Sequence, residues 1–338
     1  MTYLLPLLLG LAHGVSDASA GLLVGITWQL SSPGGKYLIL LYNGLAFGLQ
    51  PLAGLLLDRF NQPRRGAAIG LLCTAAGVAV TWWTLTPGLI LAGIGSALLH
   101  AGGGAVAIKS QPGRAGGAGL FAAFGVIGLA LGTTASSYFS LTMIGIFLTA
   151  LAILALVTWF WKPDLFSTSR LATTDPFTPF AWALALIFVV AIALRSLVWT
   201  GIQTSRYAVG ALELALAAGV GKLLGGFAAD RLGWGRWAVG ALAGALFLLF
   251  FGSAWGPAIL LGVALLQSLT PLSIAAMGKA MPNSPALATS LALGLAIMAG
   301  GLPFFILMPG WFGIATMLPI LLVCGALYGW ALAKLQKI

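Results

Sequence analysis

Apolar runs of about twenty residues, separated by short polar punctuation, recur along the whole chain. Each is long enough to cross roughly 30 Å of hydrocarbon as a helix. Twelve are predicted, over 3–28, 37–57, 66–85, 87–108, 119–138, 141–161, 180–200, 209–229, 237–255, 257–277, 285–307 and 311–333. They leave almost nothing for loops. The longest connection carries Pro163, Ser167, Thr168, Ser169, Thr173, Thr174, Pro176 and Pro179, a polar, proline-punctuated composition that reads as a linker. The pattern therefore predicts an all-α integral membrane chain: an N-terminal six-helix bundle over 1–161, a cytoplasmic linker over 162–179, and a C-terminal six-helix bundle over 180–338.

One stretch occurs twice. Gln50-Pro-Leu-Ala-Gly54-Leu-Leu-Leu-Asp58-Arg59-Phe60 returns as Lys222-Leu-Leu-Gly-Gly226-Phe-Ala-Ala-Asp230-Arg231-Leu232, with the two aspartates 172 residues apart. In each copy an apolar run with small residues ends in an Asp-Arg pair and a basic turn, as a membrane helix does on reaching water. The offset is about half the chain, so the halves repeat each other.

Composition fixes the solvent. The chain is 60% hydrophobic and 7% charged, against about 25% charged for a soluble domain. A net charge of +10 would suggest nucleic acid for a soluble protein; here the deciding question is where the cations lie. With a cytoplasmic amino terminus, twelve of the sixteen Lys and Arg fall on inside loops and two, Lys36 and Arg206, outside, leaving Arg195 and Lys222 within spans. That asymmetry places both termini in the cytoplasm and the chain in a bacterial inner membrane, with the lipid bilayer rather than nucleic acid as its surroundings. Cys73 and Cys324 lie inside apolar runs with no metal or redox spacing. Ala18-Ser19-Ala20 mimics a leader cleavage site, but no Lys or Arg precedes it, so the first run is expected to remain.

The chain resembles the major facilitator superfamily. The resemblance covers nearly its whole length and rests on the twelve spans, the central linker and the doubled Gly-x-x-x-Asp-Arg signature. The second copy, Gly226 to Gly233 followed by Arg236, keeps the family pattern; in the first, Asn61 stands where the family has glycine, and Arg64-Arg65 follow only after Gln62-Pro63. Within the superfamily the chain looks most like the fosmidomycin-resistance type of drug exporter, on His13-Gly-Val-Ser-Asp17, Gly95-Ser-Ala-Leu-Leu-His100, Arg195-Ser196, Met281-Pro282 and Gly294-Leu-Ala-Ile-Met-Ala-Gly-Gly301. The glycine-proline signature that many drug:proton antiporters carry in the fifth span is incomplete, since Gly128-Leu-Ala-Leu-Gly132 has no proline.

That resemblance implies alternating access around a cavity lined by spans one, four, seven and ten. These spans hold Asp17 and His13, His100, Arg195 and Gln267. A carboxylate inside a membrane span is expected to be functional, because burying it without purpose costs several kcal/mol. Asp17 and His13, four residues apart on one helical face, suit proton coupling; the structural alternative is that they only hydrogen-bond each other and the backbone. Arg195 suits bidentate capture of a carboxylate, phosphate or phosphonate, and Trp199, one turn on, could stack on the ligand. Lys222, which matches Gln50 in the repeat, either faces the cavity, pairs with Asp17 or snorkels to the cytoplasm. Substrate-binding candidates are thus Arg195, Lys222, Gln267, His100 and Trp199. In the resembling family, acid-base contacts of the doubled loop hold the halves closed at the inside face, which makes Asp58, Arg59, Asp230 and Arg231 gating candidates; for Asp58 a plain topogenic cap is the alternative. Glu213 is expected to pair with Arg206 at the surface. Glycines 125, 128 and 132 in the fifth span and 294, 300 and 301 in the eleventh belong at helix contacts, either as fixed packing or as the surfaces on which these two spans rock.

Nothing indicates an enzyme: there is no nucleophile elbow, no nucleotide loop and no metal-spaced cluster. No cofactor or metal is expected. The expectation is a monomeric secondary transporter, exporting a small anionic or amphiphilic molecule against protons. An importer or facilitator of a small anionic metabolite is the alternative, ahead of a receptor or scaffold.

Overall fold

The computed structural model describes residues 3–30, 34–161, 179–205, 209–307 and 311–336, so residues 162–178 of the expected linker lie outside the described residues, as does Arg206. The described chain is helical. Eleven helices are long and apolar enough to cross a membrane. They are α1 (Leu4–Leu30), α2 (Gly35–Phe60), α4 (Leu85–Ser110), α5 (Gly116–Ala135), α6 (Leu141–Phe160), α7 (Pro179–Thr204), α8 (Ala211–Leu232), α9 (Trp234–Phe251), α10 (Gly256–Ala280), α11 (Pro285–Ile306) and α12 (Ile314–Leu335). Between α2 and α4 runs α3, Pro63–Thr81. It opens on Arg64-Arg65 and is rich in Gly and Ala, which makes it the least apolar of the set, yet Ala67, Leu71 and Val78 on it are fully buried.

Three helices are broken where proline removes a backbone donor. Pro51 has no N–H for the carbonyl of Phe47, and the turn before it, Gly44–Gly48, widens to a π-helix. Pro271 likewise cannot bond the carbonyl of Gln267, and α10 is interrupted at Ser268. In α11 a π-helical turn, Leu291–Leu295, precedes a further interruption before Pro303. The breaks in α2 and α10 place Phe47 and Gln267 at irregular turns, and both residues line the central cavity described below.

Glycine sets how closely helices approach. On the seam between α1 and α5, a Cβ added at Gly128 would fall onto the Gly14 carbonyl, and one at Gly132 onto the Ala18 carbonyl. Backbone therefore lies on backbone, the packing that replaces a hydrophobic drive inside lipid. The glycines of α11 serve other neighbours: Gly294 meets Gln50 on α2, and Gly300 meets Ala193 and Ser196 on α7. The fifth and eleventh spans are thus packed by their glycines onto α1, α2 and α7 rather than onto each other.

Contacts between the two halves of the repeat come from related helices. α5 lies along α8, with Gly119 against the Lys222 carbonyl and Gly219 against Ile127, and α2 lies along α11, with Gly54 against Ala286 and Ser290. In the repeat α2 corresponds to α8 and α5 to α11, so these two contacts are one contact made twice. Asn61, where glycine was expected, holds a left-handed conformation (φ 50°) that ends α2, and its counterpart Gly233 also has positive φ (88°). Asparagine is among the side chains that tolerate the left-handed region, so both helices end on a positive-φ residue, although ψ differs, 43° at Asn61 and 136° at Gly233.

Candidate functional site

Between the halves lies a cavity of about 320 Å³. Its wall includes all seven residues assigned by sequence to substrate and proton: His13, Asp17, His100, Arg195, Trp199, Lys222 and Gln267. The lining extends from the helix middles towards the end of the molecule that carries Leu40, Gln203 and Phe305. The opposite end is where the doubled Asp-Arg stretches lie.

One wall is a cluster of ionisable rings and a carboxylate. His13 sits where α1 meets α5, in the space that Gly125 leaves open: a Cβ there would collide with the imidazole and come within 2.7 Å of Asp17 Oδ2. His13 Nδ1 donates to the carbonyl of Phe121 at 2.9 Å, and its Nε2 lies 3.1 Å from Asp17 Oδ2 and 2.9 Å from His100 Nε2. His100 Nδ1 donates to the carbonyl of Ser96 at 2.8 Å, with the Ser96 hydroxyl at 3.2 Å. Both histidines are 5% exposed. The sequence offers no metal spacing, yet His13, Asp17 and His100 bring one ligand atom each to within 4.8 Å of one another. Tertiary packing makes that group, since His100 is 87 residues from His13.

The facing wall is cationic. Arg195 is 2% exposed and donates from Nη1 to Gln267 Oε1 at 3.0 Å, an oxygen that also accepts from Thr270 Oγ1 at 3.2 Å. Its Nε has no hydrogen-bond partner, and no carboxylate among the described residues pairs with it. A buried guanidinium bonded to neutral groups, with Nε unpaired and no carboxylate among the described residues against it, keeps its charge uncompensated, an arrangement that favours an incoming anion. Lys222 lines the same cavity, as does Asp17. Gln50, the repeat partner of Lys222, does not share that wall: it is fully buried beside Gly294, donating to the carbonyl of Ala46 at 2.8 Å. The halves differ here in chemistry as well as in sequence.

The cavity is wider in membership than the four expected spans. α2, α5, α8 and α11 also line it, through Asn43, Phe47, Val126, Lys222 and Ile297 among others. Asn43 is a polar lining residue not singled out from the sequence, as are Thr200, Gln203 and Thr270. A search for amides within apolar runs, which found Gln267, would have found Asn43 as well.

At the far end the doubled motif closes the gap between halves. Asp58 accepts from the backbone amides of Ala286 (3.0 Å) and Leu287 (2.8 Å), in the first turn of α11. Asp230 accepts from Ala115 (2.8 Å) and Gly116 (2.9 Å), where α5 begins. Each carboxylate thus sits at the positive end of a helix from the other half, where unpaired amides and the helix dipole favour negative charge. The expected acid-base contacts are replaced by acid-to-amide contacts, and both Arg59 and Arg231 are exposed. Trp234 Nε1 adds a bond to Asp230 Oδ1 at 3.3 Å. Glu213 accepts from the Gly210 amide at 2.7 Å and caps α8; its expected partner Arg206 lies outside the described residues.

No family model matches the chain, and no curated protein matches it by sequence. Solved structures do. The chain superposes over 99% of its length, and 99% of the other's, on a major facilitator superfamily transporter, FucP, in the outward conformation, with a TM-score of 0.69 and 16% identity. A single-substitution variant of the E. coli fucose:proton symporter FucP gives 0.66 at 16% identity, again with 99% of both chains covered. The proton:xylose symporter XylE gives 0.66 at 12% identity over 100% of this chain and 95% of that one. The human organic anion transporter MFSD10 gives 0.60 at 16% identity with 99% of each covered. At such identities the likeness is one of fold: the chain has the major facilitator fold and is a multi-pass membrane protein. The neighbours are transporters rather than enzymes.

Proposed function

We propose that the chain is a secondary active transporter of a bacterial inner membrane, moving a small organic anion or an anionic amphiphile by alternating access in exchange for protons. The twelve helices form two six-helix bundles, 1–161 and 180–338, with both termini cytoplasmic, and the bundles rock about the cavity. The observation that carries this reading is Arg195: a guanidinium 2% exposed, without a carboxylate partner among the described residues, in a cavity wall shared with Lys222. Such a cation costs several kcal/mol in a membrane protein unless something anionic meets it. Gln267 holds it in place, Trp199 one turn on offers an apolar face, and Phe47 packs against the His100 ring. Across the cavity Asp17, His13 and His100 form a hydrogen-bonded chain in which a proton can be held and passed.

By the positive-inside assignment the sealed end is cytoplasmic, so the described conformation faces outward. Asp58 and Asp230 are then the inner latch, broken as the site turns inward. Export is favoured by the resemblance to fosmidomycin-resistance exporters at His13-Gly-Val-Ser-Asp17 and Arg195-Ser196. Import has its own support, since two of the similar structures are those of proton symporters.

Reconstituted protein, with substrates first chosen by a ligand-stabilisation screen of organic anions, decides the matter. Counterflow in vesicles is expected, and its absence for every stabilising anion would sink the transport reading. Flux under an imposed pH gradient gives the direction. Asp17→Asn is expected to abolish gradient-driven accumulation while counterflow persists at raised substrate concentration; intact coupling in that variant removes Asp17 from the mechanism.

A further inference from the structure

The histidine tautomers at the cavity wall are fixed by backbone. His13 Nδ1 faces the Phe121 carbonyl and His100 Nδ1 faces the Ser96 carbonyl, so both rings carry their proton on Nδ1 when neutral. Two bare Nε2 lone pairs then point at each other across 2.9 Å, with an Asp17 oxygen 3.1 Å from one of them. Three electron-pair donors thus lie together, with His13 Nε2 between the other two. Only a cation, whether a shared proton or a metal ion, lets them stay there.

The details favour a metal ion. Imidazole whose second nitrogen donates to a backbone carbonyl is the arrangement of metal-ligating histidines, because that bond fixes the tautomer and makes the free nitrogen a better donor. Around an octahedral ion with bonds of about 2.1 Å, neighbouring donor atoms are roughly 3 Å apart. The observed 2.9 and 3.1 Å fit that edge, and all three donors lie within 4.8 Å of one another. Two imidazoles and one carboxylate, with His13 between the other two and the remaining positions open, suit a first-row divalent transition metal; calcium and magnesium call for more oxygen, and Cu(I) for sulfur.

We propose that His13, His100 and Asp17 bind a divalent transition-metal ion of the cobalt, nickel and zinc class, carried as its complex with a small carboxylate ligand. The remaining wall dictates the second half of that statement. Arg195 and Lys222 would repel a bare dication, whereas a complex presents its carboxylates to them and its metal to the histidines. That such a complex is the cargo rests on the transport reading above; its binding does not.

Binding is measured in detergent, without a gradient, so failure here is separable from failure of transport. Protein without an oligohistidine tag is titrated with Co2+ and followed by its visible absorption, then equilibrated with 63Ni and 14C-labelled citrate and desalted. The chain has only two histidines, so a histidine-ligated metal can sit at no other place. One Co2+ per chain with a nitrogen-ligand spectrum is expected, weakened on the order of tenfold or more in His100→Gln and in Asp17→Asn. Nickel and citrate are expected to remain on the wild type in equal amounts, and Arg195→Ala to lose the citrate. Gly125→Ala keeps every ligand yet intrudes on the His13 ring, so it is expected to weaken Co2+ in protein that still elutes as a sharp monodisperse peak. Wild-type binding weaker than about 100 µM, a level at which a three-ligand site would hold little more than a surface carboxylate does, overturns the site. So does affinity unchanged in His100→Gln, and metal retained without citrate overturns the complex.

Discussion

Replacing Asp58 with Asn leaves the shape of the inner latch and removes its charge. The carboxylate accepts two amides at the start of α11, at 3.0 and 2.8 Å, and spans the two halves of the repeat. Asparagine offers one acceptor oxygen; its NH2 group would face the second amide, donor against donor. Hydrogen bonds to a charged acceptor contribute about 1.5–3 kcal/mol against roughly 0.5–1.5 for neutral ones. The charge at the helix end contributes about 0.3–1 kcal/mol more. The latch is only part-buried, which argues for a loss near the low end, about 2 kcal/mol, or a shift of about 30-fold between closed and open inner ends. Spin labels at Gln62 and Lys279, both exposed at that end, would report the shift as a longer distance gaining population, in a background with Cys73 and Cys324 replaced by Ala. Arg59→Ala serves as the contrast: its side chain is exposed, and no change is expected. An unchanged distribution in folded Asp58→Asn would refute the reasoning, as would an Arg59→Ala effect of equal size, which would restore the acid-base latch.

Arg195→Ala should lower affinity for anionic ligands by tenfold or more, on the order of one lost charge-assisted pair, and Arg195→Lys should recover only part of it because the planar fork is lost; equal affinities in a binding assay would remove Arg195 from capture. Gly128→Ala places a methyl group on the Gly14 backbone and should lower the thermal stability of the purified protein sharply, whereas Gly145→Ala, with open space at its Cβ, should hold or raise it by up to about 1 kcal/mol from helix propensity. Asn61→Ala forces a β-carbon without a compensating amide into the left-handed region and should cost about 1 kcal/mol, while Asn61→Gly should be neutral or mildly stabilising; equal melting temperatures for the two variants would contradict the turn assignment.

Helix positions were legible because lipid imposes a length and a polarity on every span. Each apolar run predicted from the sequence overlaps a helix among the described residues, and the doubled Asp-Arg stretch located the repeat. The seven cavity residues were legible for the same reason: a polar group inside an apolar run stands out when hydrocarbon is the alternative. Packing partners were not legible. Gly128 and Gly300 announce close contacts, but glycine carries no label for its neighbour, and α1 and α7 were found only in three dimensions. The latch was half legible, since the sequence marks Asp58 and Asp230 as special but cannot show that backbone amides rather than arginines receive them.

What the sequence alone determined is the solvent, the helical class, the two-fold repeat and the identities of the polar groups that must find partners. What only the tertiary structure decided is who those partners are. Asp17 and His13 are joined by helical periodicity, but His100 reaches them because α1, α4 and α5 converge where Gly125 leaves room for a ring. Gln50 and Lys222, equivalent in the repeat, part company because one is pressed against α11 and the other opens onto the cavity. Spacing along a chain fixes neighbours within one helix turn; contacts between helices depend on which faces can approach, and that is settled by all of them together.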